Sequence, residues 1–362
     1  MHRRPSTLPL VICAMAILIV VVGGTIRIHD AGESCPDWPQ CFGTWGFNIS
    51  EDEQQQYWED HPDEIDSRGE DHRYTVFEIF VEWFHRLLVG IIAIPIALNV
   101  VLMHKLKHIY GKRVFTVSVV AAILLVIQAI AGMITVVFDN EDWTVALHLS
   151  LASIFTSLFI FQFMEMSVRE GKRWSFIRIS ASARQHLRID IIRAVVAIGI
   201  LLVLGAWVSS TSGGEYNKAC SVGFPDGWPQ CQGDFFPAIN ENGTIVAGVL
   251  IQMIHRIGAI FVGFFLILAA AKIREYVRVQ DESAQPVSTM FEITTGIWLL
   301  NVLIGGMYII FAKADEFPEL LSLLHLVVGV SVFLAALVSY FMISIHPVDQ
   351  IGSTTTESSE EE

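Results

Sequence analysis

Charged side chains are scarce in this sequence: they make up 17% of its 362 residues, against 53% hydrophobic residues. A soluble domain of this size carries more charge, so the scarcity excludes an ordinary water-soluble protein. Basic residues are fewer than acidic ones, 23 against 37, and the net charge of -14 argues against nucleic acid as a partner. The class that remains is a polytopic membrane protein, with the lipid bilayer as its surroundings.

Long apolar runs are frequent, and a helix needs about 20 apolar residues to cross the hydrocarbon core of a bilayer. Eight runs qualify, over 8–26, 80–103, 114–137, 144–166, 190–210, 248–270, 291–312 and 320–343. The first follows Arg3-Arg4 as a signal peptide would, but we expect it to be retained, because 190–210 has the equivalent place inside the chain. We therefore predict an all-α fold with eight transmembrane helices.

Basic residues lie mainly on one side of these spans. Sixteen of the 23 Lys and Arg residues flank that side, many of them in the stretch 167–189. Because cytoplasmic loops carry the excess of Lys and Arg, we predict a multi-pass plasma-membrane protein with both termini in the cytoplasm. Acidic residues gather in the outer loop 28–79 and the tail 357–362. Acidic runs of this kind most often form solvated surface. The alternative interpretation is a patch on which a basic electron carrier docks.

One order of features occurs twice along the chain. Each half has an apolar helix, a cysteine loop ending in Trp-Pro-Gln-Cys, a helix with a His-Arg pair and a last helix that begins near a histidine. A Gly-Gly pair follows the first helix in each half, Gly23-Gly24 and then Gly213-Gly214. Since four helices separate the copies, we predict two parallel, pseudo-repeated four-helix bundles.

The predicted boundaries follow from this repeat. The first half takes 1–178 with its outer loop 27–79, the second half takes 179–346, and 347–362 is an acidic cytoplasmic tail. The basic stretch between the halves is the seam. We expect the site of each half to lie near the outer face of the membrane, where the histidines described below are found.

Four of the five cysteines lie in outer loops, where disulfides are allowed. Pro and Trp between the paired cysteines favour a compact turn. We predict the disulfides Cys35–Cys41 and Cys220–Cys231, each closing a short loop. A redox-active dithiol at the first pair is the sharper alternative. Cys13 lies inside the first span, where a small core residue is expected.

Four of the twelve histidines share one depth, near the outer ends of the second, fourth, sixth and eighth spans. They are His85, His148, His255 and His325. One such histidine alone favours an ordinary hydrogen-bonded packing residue, but four at equivalent places of a repeat favour ligands. Facing helices of a bundle supply an axial pair for a haem iron, so we predict one haem site in each half. Zinc or copper is less favoured, because few further ligands lie at that depth.

The residues around the first histidine of each half differ at one position. The first half reads Glu82-x-x-His85-Arg86, and the second half has Gln252 before His255-Arg256. A carboxylate and an imidazole three residues apart share one face of a helix, and ionisable groups inside a membrane are presumed functional. Arg86 and Arg256 are candidates to bind haem propionates, with snorkelling to the membrane interface as the alternative.

These residues resemble the haem A synthase family, and the resemblance spans all eight predicted helices. It is carried by Gly23-Gly24-Thr25-Ile26-Arg27, the paired loop cysteines, Glu82-x-x-His85-Arg86, His148, His255-Arg256 and His325. The resemblance implies oxidation of the C8 methyl group of haem O to the formyl group of haem A, with water as the oxygen source, for cytochrome oxidase biogenesis. It also implies a haem O synthase as partner and an unidentified electron acceptor. A homo-oligomer is compatible with the sequence, which does not give the oligomeric state.

The resemblance further implies a division of labour between the halves. His85 and His148 would be the axial ligands of the substrate haem, while His255 and His325 would hold a haem b cofactor through its iron. Glu82 is then the candidate catalytic residue, since a carboxylate beside the substrate can accept protons and Gln252 cannot. A helix-terminal acid is the structural alternative for Glu82, and Glu78 is a rival for its role. The long acidic outer loop departs from the compact form expected of the family.

Two other classes compete with the synthase. A di-haem b-type cytochrome that carries electrons from quinol explains the four histidines equally well, but it leaves the difference between Glu82 and Gln252 unexplained. A transporter built from repeats needs broken helices or paired charges at mid-membrane depth. The notable polar residues there are Gln128 and Asn301, and hydrogen bonds between helices account for both.

Overall fold

The computed structural model describes residues 4–66, 68–138, 140–209, 219–241, 244–313 and 318–346. The predicted pair Gly213-Gly214 and the tail 347–362 lie outside the described residues. Apart from one short antiparallel hairpin of Asn240–Glu241 with Thr244–Ile245, the regular structure of the described part is helical. The all-α class is therefore confirmed.

The described residues form nine α-helices, which we number in chain order. They are α1 Thr7–Ile28, α2 Glu51–Asp60, α3 Val76–Lys105, α4 Lys107–Val137, α5 Asp142–Arg169, α6 Ala181–Val208, α7 Ala247–Val279, α8 Gln285–Phe311 and α9 Glu319–Ser344. All but α2 are long and apolar enough to cross a membrane, with a short 3-10 turn preceding α8. The eight predicted spans are thus confirmed.

The spanning helices pack as two sets of four. In the first set α1 and α4 each contact both α3 and α5, and in the second α6 and α8 each contact both α7 and α9. The sets meet where α5 packs on α6 and where α9 packs on α1 and α5. The largest apolar core fills this junction and includes Leu187, Ile198 and Phe291, all almost fully buried. Apolar side chains between lipid-facing helices hold the bundle through close packing.

Local sequence fixes where α3 begins. Thr75 accepts a hydrogen bond from the Glu78 backbone N–H, and the Glu78 carboxylate accepts one from the Thr75 N–H at 2.7 Å, forming a capping box. Glu78, the rival to Glu82, is thus engaged at the helix end. Starting α3 at Val76 places Glu82 and His85 in its second and third turns, on the side that faces the bundle.

The acidic outer loop is a folded cover with its own small core. Trp58 of α2 is 4% exposed and packs with Phe42, Tyr74 and the first disulfide. The Gln54 side chain exchanges two hydrogen bonds with the Tyr74 backbone, at 3.0 Å and 2.9 Å. Burial and a hydrogen bond to Asp66 raise the pKa of Tyr74 above its ordinary range. The sequence predicted a solvated surface for this loop, and the structure shows that only its outward side is solvated, while its inward side forms an ordered core.

Candidate haem site

His85 and His148 line one cavity in the first set of helices. The cavity has a volume of about 790 Å³ and lies between α1, α3, α4 and α5. That volume falls within the range of roughly 300–1,000 Å³ that is common for small-molecule and cofactor sites. The two imidazoles are close enough to interact electrostatically, as are those of His255 and His325. The four predicted ligands therefore come together as the two predicted pairs.

Each of the four histidines packs against a glycine of a neighbouring helix. A Cβ atom built on the glycine would lie 2.7–3.2 Å from the Cε1 atom of the histidine. The pairs are Gly23 with His85, Gly132 with His148, Gly205 with His255, and Gly305 with His325. A Cβ at Gly305 would force the His325 imidazole to shift, and at the other three glycines it would press on the imidazole tightly enough that the ring must give by a few tenths of an ångström. Gly205 has the packing role in the second set that Gly23 has in the first.

We call the surface that each glycine leaves for its imidazole a glycine cradle. In three of the four pairs the residue four positions before the glycine adds a backbone carbonyl to this cradle. Nδ1 of His325 lies 3.0 Å from the Asn301 carbonyl oxygen. The carbonyls of Ile19 and Gln128 face His85 and His148 in the same way, although neither contact meets hydrogen-bond geometry. An imidazole whose Nδ1 faces a carbonyl presents Nε2 to a metal, which is the common arrangement of metal-bound histidine.

Glu82 also lines this cavity, and its carboxylate is buried, with the residue 4% exposed. One oxygen accepts hydrogen bonds from the Cys35 backbone N–H at 2.9 Å and the Ser34 hydroxyl at 3.0 Å. The other accepts from Arg86 Nη2 at 2.6 Å. Glu82 is the seventh residue of α3, past the first turn, so the reading as a helix-terminal acid does not describe it. The carboxylate joins α3 to the disulfide loop.

The Arg86 side chain forms hydrogen bonds with the same disulfide loop. Its guanidinium donates to the carbonyl oxygens of Asp37 and Gln40 through Nη1, and to that of Cys35 through Nη2 at 2.8 Å. Neither interface snorkelling nor an open propionate site describes this guanidinium. The propionate contact inferred for Arg86 remains a prediction, with fewer free donors to support it.

Arg256 binds the second loop at the matching places. Its Nη1 donates to the carbonyls of Gly227 and Gln230, both at 2.8 Å. Gln230 and Cys231 follow Trp228-Pro229 just as Gln40 and Cys41 follow Trp38-Pro39. Nη2 of Arg256 is buried and has no hydrogen-bond partner among the described residues, whereas the same atom of Arg86 binds Glu82. Replacing a carboxylate by Gln252 therefore leaves one guanidinium donor open.

The predicted disulfides Cys35–Cys41 and Cys220–Cys231 are both present. Each loop has a cis Trp-Pro bond and a short β-bridge just after its second cysteine. Cys13 is a buried free cysteine, as expected. The sulfur atoms of both pairs are bonded and buried, which agrees with loop closure and gives no sign of an exposed dithiol.

The loop tryptophans are placed differently. Trp228 packs on α8 at Gly306, where an added Cβ would lie 2.8 Å from its Cε2 atom. Trp38 of the first loop lines the cavity and is 51% exposed. Gly306 follows Gly305 in the sequence, and the residue that follows Gly132 is Met133. The matching position of the first half therefore carries a side chain where the second half has none.

Arg27 is a site residue whose importance the sequence reasoning missed, since it entered only as part of the family motif. It lies in the last turn of α1 and lines the cavity, and its side chain is 12% exposed. Its Nε is buried and has no hydrogen-bond partner within the part of the chain that the structure describes. The sequence did contain a signal for Arg27: a single arginine at the end of a long apolar helix usually pairs with an anionic or polar group, so it is a candidate for binding a ligand.

The donor set fits haem better than a bare metal ion. Within the described residues no group of three or more His, Cys, Asp or Glu side chains could hold a metal ion. Two histidines suffice for a haem iron, because the porphyrin fills the remaining plane. The four glycine cradles hold the imidazoles, and the cavity beside the first pair gives space for a flat group.

The fold and these side chains define a polytopic helical membrane protein with two buried histidine pairs. The chain belongs to the cytochrome oxidase assembly protein (COX15-CtaA) family, whose model matches residues 6–338. It is similar to proteins named Heme A synthase from Exiguobacterium sibiricum, at 24% identity over 84% of this chain and 87% of that one. The same name belongs to relatives from Wolbachia pipientis wMel, at 24% identity over 94% and 93% of the two chains, and Shouchella clausii, at 24% over 74% and 75%.

Proposed function

We propose that this protein is a haem A synthase, a membrane oxidoreductase that converts the C8 methyl group of haem O to the formyl group of haem A. The observation that carries the proposal is that His85 and His148, from facing helices, line one cavity of about 790 Å³ together with Glu82. Membership of the family and the name shared by its relatives support it. The product would serve the biogenesis of cytochrome oxidase.

The first half would take the substrate and the second half would hold the cofactor. His85 and His148 are proposed as axial ligands of haem O, and His255 and His325 as ligands of haem b iron. Haem b, when bound, supplies electron transfer. The asymmetry between Glu82 and Gln252 supports this division, because only the first half offers a group that can exchange protons beside its histidine pair.

The reaction sets what the residues must do. Oxidising a methyl group to a formyl group with water as the oxygen source releases four electrons and four protons. Glu82 is proposed to receive protons at its carboxylate, or to stabilise positive charge that develops on the substrate. The hydrogen bonds from Ser34, Cys35 and Arg86 fix the position of that carboxylate. The electrons pass to an acceptor, and a haem O synthase is the proposed source of substrate.

The proposed arrangement in the membrane follows from the basic residues. We propose a plasma-membrane protein with halves 1–178 and 179–346, both termini in the cytoplasm and both histidine pairs near the outer face. A cysteine introduced at Ser283, between α7 and α8, is expected to react with a membrane-impermeant thiol reagent only in inverted vesicles. Labelling of this position in intact cells would show that the protein has the opposite orientation.

The competing function is a di-haem b-type cytochrome that carries electrons from quinol. The likeness of the four glycine cradles favours it, because the cradles treat the two histidine pairs alike. Co-expression of this chain with a haem O synthase, followed by mass analysis of extracted haems, separates the two. Haem A formed only when this chain is present supports the synthase. Bound haem B without conversion supports the cytochrome, and a haem-free protein from haem-replete cells contradicts both.

A further inference from the structure

The two histidine sites differ in whether the arginine that follows the first histidine has a guanidinium N–H group free to donate a hydrogen bond. In the first half Arg86 donates to Glu82 and to three loop carbonyls, so its terminal nitrogens are engaged. In the second half Arg256 has a buried Nη2 to which no residue of the described ranges offers a hydrogen bond. A carboxylate that entered the second site would therefore find an open guanidinium donor beside the histidine pair. In the first site, a residue other than Arg86 has to donate to such a carboxylate.

Arg27 is the cation that the first site has available. Its guanidinium lines the cavity that His85 and His148 share, and no described residue forms a hydrogen bond with its Nε. The glycine cradles give the register between the halves: Gly23 corresponds to Gly205, so Arg27 corresponds to Ser209. Like Glu82, Arg27 is thus a charged residue that only the first half has.

The charges around Arg27 leave room for a further anion. Asp30 Oδ1 lies 3.9 Å from Arg27 Nη1 and its side chain is 52% exposed, while Glu33 and Asp142 also act on the guanidinium. Glu33 accepts from Asn140 at 2.8 Å and from Arg68 at 3.3 Å, and Arg68 is also 3.7 Å from Asp30. Arg68 thus pairs with Asp30, Glu33 and also Asp66. Among the described acids none forms a hydrogen bond with Arg27, and the nearest, Asp30, reaches it only at 3.9 Å, so the N–H donors of Arg27 are open to an incoming carboxylate.

We propose that Arg27 binds a propionate carboxylate of the substrate porphyrin in the first site, and that Arg256 has this role in the second. The proposal rests on the proposed function, because it takes a porphyrin as the ligand of the first cavity. Arg27 is a positioning residue: by holding the propionate edge at the outer end of α1 it fixes how the ring lies between His85 and His148. Guanidinium groups suit this role because they pair with carboxylates in a planar geometry.

The test measures binding, so it does not depend on turnover. Ferric haem B and its dimethyl ester, which lacks both carboxylates, are titrated into the full-length protein, and the absorbance change lost in His85→Ala identifies the first site. Arg27→Gln is expected to weaken binding of the free acid about tenfold or more at that site and to leave the ester within about twofold. Arg27→Lys should recover most of the loss, and Arg256→Gln should affect the second site only.

Several outcomes would overturn the proposal. Equal weakening of the free acid and the ester by Arg27→Gln means that Arg27 acts through packing, and unchanged binding of both means that it does not touch the ligand. If Arg86→Gln instead discriminates between the two porphyrins, the anchor is Arg86. If the wild-type protein shows no His85-dependent site for either porphyrin, the proposed function itself fails, a result distinct from the others.

Discussion

Glu82→Gln is expected to lower haem A formation by at least about 100-fold while the protein still folds and binds porphyrin at both sites. A positioned acid or base contributes roughly 10²–10⁴-fold to a rate, and an amide cannot exchange protons in its place. Folding should survive because the second half already has this arrangement, with Gln252 four residues before Arg256 and a disulfide loop held by the same arginine contacts.

The measurement is the ratio of haem A to haem O in cells that co-express a haem O synthase, together with the bound haem of the purified variant. Glu78→Gln is the matched control, since that carboxylate caps α3 at Thr75. The control should retain conversion with a small loss of stability. Full conversion by Glu82→Gln would leave the carboxylate with a purely structural role, that of holding the disulfide loop. Loss of bound porphyrin along with conversion would point to the same conclusion.

Gly305→Ala is expected to remove most of the haem from the second site. A Cβ at this position would lie 2.7 Å from Cε1 and 3.0 Å from Nδ1 of His325, the tightest of the four glycine contacts. The methyl group must push the imidazole off the helix backbone, which breaks its contact with the Asn301 carbonyl and moves Nε2 away from the place where it would bind the proposed haem iron. We expect haem occupancy of that site to fall about tenfold, with a spectral change from two axial histidines to one.

Gly296→Ala, on the same helix, is the control for this substitution. Nothing lies within 4 Å of a Cβ built at Gly296, so alanine should be tolerated and should stabilise the helix by about 0.5–1 kcal/mol. Haem content is measured by the absorbance of the purified proteins, and stability by thermal unfolding. If Gly305→Ala keeps full occupancy and an unchanged spectrum, His325 does not depend on this cradle, and its assignment as a ligand loses its support.

Features that depend on local pattern were predictable. The eight spans follow from runs of apolar residues, and the disulfides follow from cysteines close together in outer loops. The four histidines emerged because they recur at equivalent places in the two halves. In each case the information lies within a short stretch or in the comparison of two stretches, so no knowledge of distant contacts was needed.

The contacts that complete the site could not be found in this way. Arg86 binds backbone carbonyls of a loop 46–51 positions away, and any residue type offers a carbonyl. The glycine opposite each histidine belongs to another helix, so its distance along the chain changes from pair to pair. Helix α2 was missed because Gln54 and Trp58 are two inward positions in a run of acids. All three depend on tertiary contacts.

The packing of the loop tryptophans bears on how long a bound group stays. A ligand leaves a covered pocket no faster than the cover opens, so a loop that rests on the bundle prolongs the dwell time beneath it. Trp228 packs on α8 at Gly306, whereas Trp38 of the first loop is half exposed. The cofactor proposed for the second half needs slow release, and the product proposed for the first half needs fast release. The contact between Trp228 and Gly306 thus favours a longer residence time for a group bound in the second half than for one bound in the first, although the two loops are built alike.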